Sequence, residues 1–229
     1  MSHFFNESIE GKYHRLCKDL ENKPFDIFLL LNVNDKSSLI EIPSYIKSCV
    51  YDIKDLNSLE YTPIFETLLP GSCHFPVLKF YKEHTDYSFY WFIEYDVEFT
   101  ASWNVLMEAY TNNEADYIVP YWAKYEQEKN SKWNWWKTGN NCGYPIEQCL
   151  RAFHPICRYS NKALDVIDKY QSEGYSAHSE LIIPTCIYHN GLDFAELSEG
   201  KEFVRYRPVY TVEELEDKYV YGKLYHPVK

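Results

Sequence analysis

The sequence predicts an α/β fold, with a central, mostly parallel sheet flanked by helices. Three observations carry this. Short apolar runs of strand length alternate with amphipathic stretches of helical spacing, the pattern of parallel-sheet proteins. No internal repeat, low-complexity tract or Gly/Ser linker interrupts the chain, so residues 1–229 are expected to form one domain, with 1–22 as a polar lead-in. The 229 residues, 45% apolar and 25% charged, are enough to bury a core without staples.

The elements follow in order. Residues 1–22, the polar lead-in, leave room for a short helix. Pro24 opens the apolar run 25–33, which has the length of a buried strand and ends in Asn32, Asn34 and Asp35. A second short strand is expected at 48–53, with Asp52 at its end. Residues 75–84 read as a helix after the punctuation of Pro63, Pro70 and Gly71. The strongest strand signal is 87–99. It feeds a helix over 102–110, where Trp103, Leu106, Met107 and Tyr110 recur at helical spacing and Ser102 fits the N-cap. A strand at 116–121 precedes a long polar loop at 124–141. A strand at 151–158, a helix at 161–173 closed by Gly174, a helix at 178–189 disturbed by Pro184, and strands at 193–197 and 203–206 complete the pattern.

Composition narrows the function. With 23 Lys and Arg against 34 Asp and Glu, the net charge is −11. That balance lacks the basic footprint of nucleic-acid binding or of an anionic-lipid patch, and an anionic substrate would need a cation to offset the field. The seven cysteines (17, 49, 73, 142, 149, 157 and 186) are odd in number and without C-x-x-C spacing. Neither a disulfide framework nor a zinc ribbon is expected, and reduced thiols fit a cytoplasmic location. No secretory signal opens the sequence, and no apolar run reaches the ~18 residues of a membrane span. Aromatic residues reach 18%, with 22 Tyr, 13 Phe and 6 Trp. Such an excess serves ordinary packing, and it also suits sugar faces and hydroxyls.

The candidate site lies within 87–99. Read with a period of two, Glu94, Asp96 and Glu98 fall on one face, each ~7 Å from the next. The preceding run, Tyr87 to Ile93, is apolar on both faces. Three acids where a buried strand ends fit a hard-cation site, although a solvated strand edge would give the same pattern.

The segment FIEYDVEFTASW (92–103) resembles the metal-binding segment of GT-A fold glycosyltransferases: an apolar strand, an acid cluster, a short turn and a helix. It is similar to the acid cluster of Golgi N-acetylglucosaminyltransferases. The resemblance implies a Rossmann-like GT-A domain, a nucleotide-diphosphate sugar donor (a UDP-sugar) and Mn²⁺ or Mg²⁺. It implies Asp96 as metal ligand, Glu98 as a second ligand and Glu94 as a donor-sugar or ribose contact. Tyr95 stands where the family has its middle acid. The region 25–35 resembles the first strand and nucleotide-edge loop, bringing in Asn32, and Asp52 follows the second strand where base or ribose is read. His154 and Arg158, in RAFHPICR (151–158), fall in the segment that carries donor and acceptor contacts. Glu180, in AHSELIIP (177–184), matches the carboxylate that takes the acceptor proton in inverting members. His226, in YGKLYHPVK (221–229), matches a late metal-ligating histidine, with Lys223 or Lys229 facing the diphosphate. Trp133, Trp135 and Trp136 would form an acceptor wall.

Several of these residues have plainer roles. Asp52 fits a turn, Glu180 fits the first turn of a helix, and the tryptophans fit a satellite apolar cluster. The function implied is sugar transfer to a hydroxyl of a glycan or lipid-linked acceptor, with inversion preferred to retention. Peripheral contact with the inner face of a membrane would suit such an acceptor, in surface polysaccharide biosynthesis. A glycoside hydrolase using two of Glu94, Asp96, Glu98 and Glu180, or a non-catalytic carbohydrate-binding domain, are the alternatives. A nucleotidyltransferase is disfavoured because Asn32–Asp35 contains no glycine.

Overall fold

The computed structural model of the chain describes residues 1–36, 41–66, 68, 71–137, 141–197, 205, 207–217 and 221–229. In chain order the elements are α1 (Glu7–Asp19), β1 (Leu29–Asn32), β2 (Ser48–Tyr51), α2 (Ile53–Asn57), α3 (Phe75–Glu83), β3 (Phe89–Ile93), β4 (Glu98–Phe99), α4 (Trp103–Ala109), β5 (Tyr117–Val119), β6 (Tyr121–Lys124), α5 (Tyr125–Glu128), β7 (Leu150–Phe153), β8 (Ile156–Ser160), α6 (Asn161–Ser172), α7 (Ser179–His189), β9 (Phe194–Glu196), α8 (Val212–Asp217) and β10 (Leu224–Tyr225). The fold is α/β, as expected. The strands are mixed rather than mostly parallel. Pairs β1–β2 and β5–β9 are parallel, whereas β4–β10, β5–β8 and β6–β7 are antiparallel. The physical reason for the difference is that an apolar run records burial, not the direction of its neighbour. Among the described residues no helix is long and apolar enough to cross a membrane. All seven cysteines are free.

The chain divides into two units interleaved in sequence. The first comprises Met1–Asp52, Ile93–Glu114 and Leu197–Lys229. Its core joins Phe5, Ile9 and Tyr13 of the α1 region to Leu29, Leu31, Val33 and Ile46. Helix α1 begins where the Asn6 side chain accepts from the Ile9 amide at 3.1 Å, with Glu7 and Glu10 in its first turn favouring the N-terminus. Ser102 caps α4 as expected, accepting from the Asn104 amide at 3.3 Å. Strands β1 and β2 run in parallel register, Leu29 to Asn32 against Ser48 to Tyr51. Asn32 and Asp52 therefore stand at the same, carboxyl end of this pair, where α/β folds place ligands.

The second unit comprises Ile53–Phe92 and Ala115–Glu196. Its four-stranded sheet has the order β3-β8-β5-β9, and β6 pairs with β7 beside it. Fully buried Tyr117, Ile118, Ile156, Leu164, Ile167 and Leu181 fill its core. The expected strand 151–158 is two strands, β7 and β8, broken at His154-Pro155. Proline has no amide to continue a ladder, which explains the break. The expected loop 124–141 contains α5 and a 3₁₀ turn, Asn134–Lys137. Of the strand expected at 203–206, residues 203, 204 and 206 lie outside the described residues.

Candidate metal centre

The strand expected over 87–99 stops at Ile93. Residues Tyr95 and Asp96 form a turn, closed by the Val97 amide donating to the Glu94 carbonyl at 3.2 Å, and β4 resumes at Glu98. A turn does not preserve the two-residue alternation of a strand, so the three acids part company. Glu98 turns to α1. Its carboxylate pairs with Lys12 at 2.6 Å and Arg15 at 2.9 Å, and Arg15 also bonds the Ala101 carbonyl at 2.9 Å. Lys12 further donates to the Tyr95 carbonyl at 2.5 Å. Glu98 thus fastens the turn from behind and stands outside the acid–imidazole cluster formed in front of it.

That cluster is Glu94, Asp96 and His226. Each offers one ligand atom, and the three atoms lie within 4.8 Å of one another. It is the one such group among the described residues. The C-terminal segment delivers the histidine. Strand β10 pairs antiparallel with β4, Leu224 with Phe99 and Tyr225 with Glu98, so the next residue runs back along the turn. The Val228 amide then donates to the Asp96 carbonyl at 2.9 Å, while the Tyr210 amide donates to the Pro227 carbonyl at 3.0 Å and the Lys229 amide to the Tyr210 carbonyl at 2.9 Å. His226 Nε2 lies 3.3 Å from Glu94 Oε2 and 3.4 Å from Asp96 Oδ1. Tyr95, which stands between Glu94 and Asp96, belongs to the packing of the unit. Its ring packs edge-on against His3 and Phe4, each at 5.1 Å, and joins the core of the unit.

The electrostatics are those of a cation trap. Burial alone would lower the His226 pKa, but hydrogen bonds to Asp96 and Glu94 outweigh it and lift it to about 9. Burial works to raise the Asp96 pKa, and again the His226 hydrogen bond and charge prevail, with Lys229 assisting, so the carboxyl is held below its usual range. The Lys229 side chain also bonds the Tyr95 hydroxyl. Without a metal, an imidazolium occupies the role of the positive partner for two carboxylates. The donor set, two carboxylate oxygens and an imidazole nitrogen, fits Mn²⁺ better than Mg²⁺, which prefers oxygen ligands alone.

Other expected site residues fall in the second unit. Arg158 is buried, donates to the Ala115 carbonyl at 2.9 Å and lies over the Phe89 ring at 4.0 Å, so its guanidinium is engaged within the sheet layer. Trp136 is buried and anchors its loop through Tyr125, Trp133 and Ser131. Trp133, Trp135 and Glu180 gather instead around His178. Trp135 stacks on that imidazole at 4.2 Å, Trp133 meets it edge-on at 6.3 Å, and the Glu180 amide donates to its Nδ1 at 3.2 Å. His154 is buried, with Nδ1 3.2 Å from the Tyr117 hydroxyl. His74, at the N-cap of α3, completes a histidine group with these two. The only sequence signal for His74 and His178 is their place immediately before an apolar helix.

No protein-family model matches the chain, and no curated protein matches it.

Proposed function

We propose that the chain is a Mn²⁺-dependent glycosyltransferase that moves a sugar from a nucleotide-diphosphate donor, a UDP-sugar, to a hydroxyl of a glycan or lipid-linked acceptor. The observation that supports this most is the convergence of Glu94, Asp96 and His226, with Lys229 beside them, in an acidic protein. Asp96, Glu94 and His226 would hold the cation, which neutralises the charge that builds on a departing diphosphate. Lys229 adds a fixed positive charge for the same anion. Asn32 and Asp52, at the carboxyl end of β1 and β2, are suited to hydrogen-bond a ribose or base. Glu180 is the candidate to accept the proton of the acceptor hydroxyl. A two-carboxylate hydrolase is less well supported, because it needs a second carboxyl group working with Asp96, and Glu98 is engaged instead by Lys12 and Arg15 while Glu94 shares His226 with Asp96.

The test is a thermal-shift and calorimetric panel of UDP, GDP, CMP and dTDP, with Mn²⁺, with Mg²⁺ and with EDTA. A shift with one nucleotide, larger with Mn²⁺ than with Mg²⁺ and absent in Asp96→Asn, is expected. No cation-dependent shift with any nucleotide would sink the proposal.

A further inference from the structure

The second unit holds a polar group whose chemistry is distinct from the metal centre. His74 is 5% exposed, yet among the described residues neither ring nitrogen has a hydrogen-bond partner. Its position is built by two helix starts. His74 precedes α3, whose first turn contains Pro76, and its side chain makes no capping bond. His178 precedes α7 and does cap, accepting from the Glu180 amide. The two starts are tied together. The Ser179 amide donates to the Gly71 carbonyl at 2.7 Å, and Cys73 Sγ lies 3.3 Å from Ser179 Oγ. A methyl group on Gly71, which has φ +109°, would meet Cδ2 of His178 at 3.3 Å, so the backbone approaches that ring closely. His154 adds the third imidazole, bonded to Tyr117.

Burying a ring with a donor and an acceptor both unanswered is unfavourable. A core position would be served better by Phe or Leu, so the imidazole asks for a ligand. Its ligand class follows from proton bookkeeping. Burial lowers the pKa of His74 and His154 to about 3, and that of His178 to about 4, so the rings are neutral at neutral pH. A neutral imidazole offers one N–H and one lone pair. An anion would use the N–H and leave the lone pair stranded, and it would meet the Glu180 carboxylate, whose Oε2 is 3.9 Å from His178 Nδ1. A metal ion would use the lone pairs alone. The three imidazoles, moreover, do not converge as a metal group does; among the described residues only Glu94, Asp96 and His226 do. A sugar ring carries several hydroxyls, each able to donate or accept, so one can accept from the N–H and another donate to the lone pair. Trp133 and Trp135, half-buried beside His178, supply the aromatic surface that a ring bearing hydroxyls packs on.

We propose that His74, His154 and His178, with Trp135, form a binding site for an uncharged sugar ring, His74 serving two hydroxyls of the ligand, one through each ring nitrogen. The identification of that sugar as the acceptor rests on the glycosyltransferase proposal; the binding itself does not.

The test is saturation-transfer NMR on the full chain in EDTA, without nucleotide, using the methyl glycosides of glucose, galactose, mannose and N-acetylglucosamine. Transfer to at least one glycoside is expected. His74→Phe should weaken it by about tenfold or more while leaving the melting temperature unchanged or higher, because an unanswered polar ring is replaced by an apolar one. Trp135→Ala gives a second reading should His74→Phe fail to fold, and should also lose the transfer. No transfer with any of the four glycosides, or equal transfer in a folded His74→Phe or Trp135→Ala, would overturn the inference. So would binding that appears only when Zn²⁺ or Mn²⁺ replaces EDTA. Glycoside binding in EDTA combined with no nucleotide–Mn²⁺ response would remove the transferase proposal and leave the sugar site standing. The converse pair of results would do the opposite.

Discussion

At the scale of single residues, Glu94 and Glu98 show how one turn redistributes chemistry. Both belong to the run EYDVE, and both looked like partners of Asp96 in a strand. The turn at Tyr95-Asp96 sends Glu94 to His226 and Glu98 to Lys12 and Arg15. Their substitutions should therefore separate. Glu98→Gln is expected to lower stability by about 1 kcal/mol, as a partly exposed ion pair does, and to leave Mn²⁺ affinity within about twofold. Glu94→Gln should reduce Mn²⁺ affinity by about tenfold or more with a smaller loss of stability. Isothermal titration with Mn²⁺ and urea unfolding of both variants would check this; a Glu98→Gln protein that no longer binds Mn²⁺ would return Glu98 to the ligand set. The buried histidines give a second residue-scale expectation. Their folded pKa values, about 3 for His74 and His154 and about 4 for His178, lie below the ordinary ~6.5. Between these values the unfolded chain binds more protons, so stability rises with pH. It should be complete above about pH 6.5 and be lost on acidification, at up to about 1.4 kcal/mol per pH unit for each ring. Melting temperatures from pH 7.5 to 4.5 should fall more steeply in the native chain than in His74→Phe. Equal slopes would mean that His74 titrates normally.

At the scale of elements, α7 is where local sequence and tertiary structure diverge most. Pro184 inside a helix argues against the helix, yet Leu181, Ile182, Ile183, Thr185, Cys186 and Ile187 are all fully buried around it. Burial on every side holds the helix against the lost backbone bond. Thr185 also ties the helix to β7, its hydroxyl accepting from the Leu150 amide at 3.0 Å and donating to the Leu150 carbonyl at 3.2 Å. Thr185→Val keeps the shape and strands both backbone groups, so it should cost about 1–3 kcal/mol in chemical denaturation. A neutral outcome would mean that Leu150 is served by other partners. Much of the element pattern was legible beforehand: α3, α4, α6 and α7 fall where periodicity and caps put them, Ser160 accepts from the Ala163 amide at the start of α6, and Gly174 adopts φ 85° after it. Breaks inside apolar runs were not. Nothing in FIEYDVEF marks Tyr95-Asp96 as a turn, since the bonds that reinforce it from outside, Lys12 to the Tyr95 carbonyl and Val228 to the Asp96 carbonyl, come from distant segments. The histidine group was illegible for the same reason, its members standing at 74, 154 and 178. His226 was accessible only through the resemblance, because no local pattern pairs it with an acid 130 positions earlier.

At the scale of the whole molecule, the interleaving of segments decides what each ligand can stabilise. The first unit is assembled from three stretches, and the candidate metal centre joins two of them, the turn after Ile93 and the segment after Tyr221. Backbone pairing already links them, through Leu224 with Phe99, Tyr225 with Glu98 and the Thr100 amide donating to the Lys223 carbonyl at 2.9 Å. A cation held by Glu94, Asp96 and His226 would add a further cross-link where each segment alone supplies only one or two ligands. An unfolded chain has no such preformed site, so binding should appear as protection against opening of these segments. Hydrogen exchange followed by mass spectrometry with Mn²⁺ against EDTA should show slowed exchange at 93–103 and 221–229. Amides of α6 and α7, in the unit without these ligands, should respond far less. Adding a methyl glycoside in EDTA should give the reverse distribution, with the slowing at 71–79 and 177–183. Equal protection of both sets of segments by Mn²⁺ alone would contradict this division of labour, because a ligand stabilises directly only the segments whose opening breaks its site.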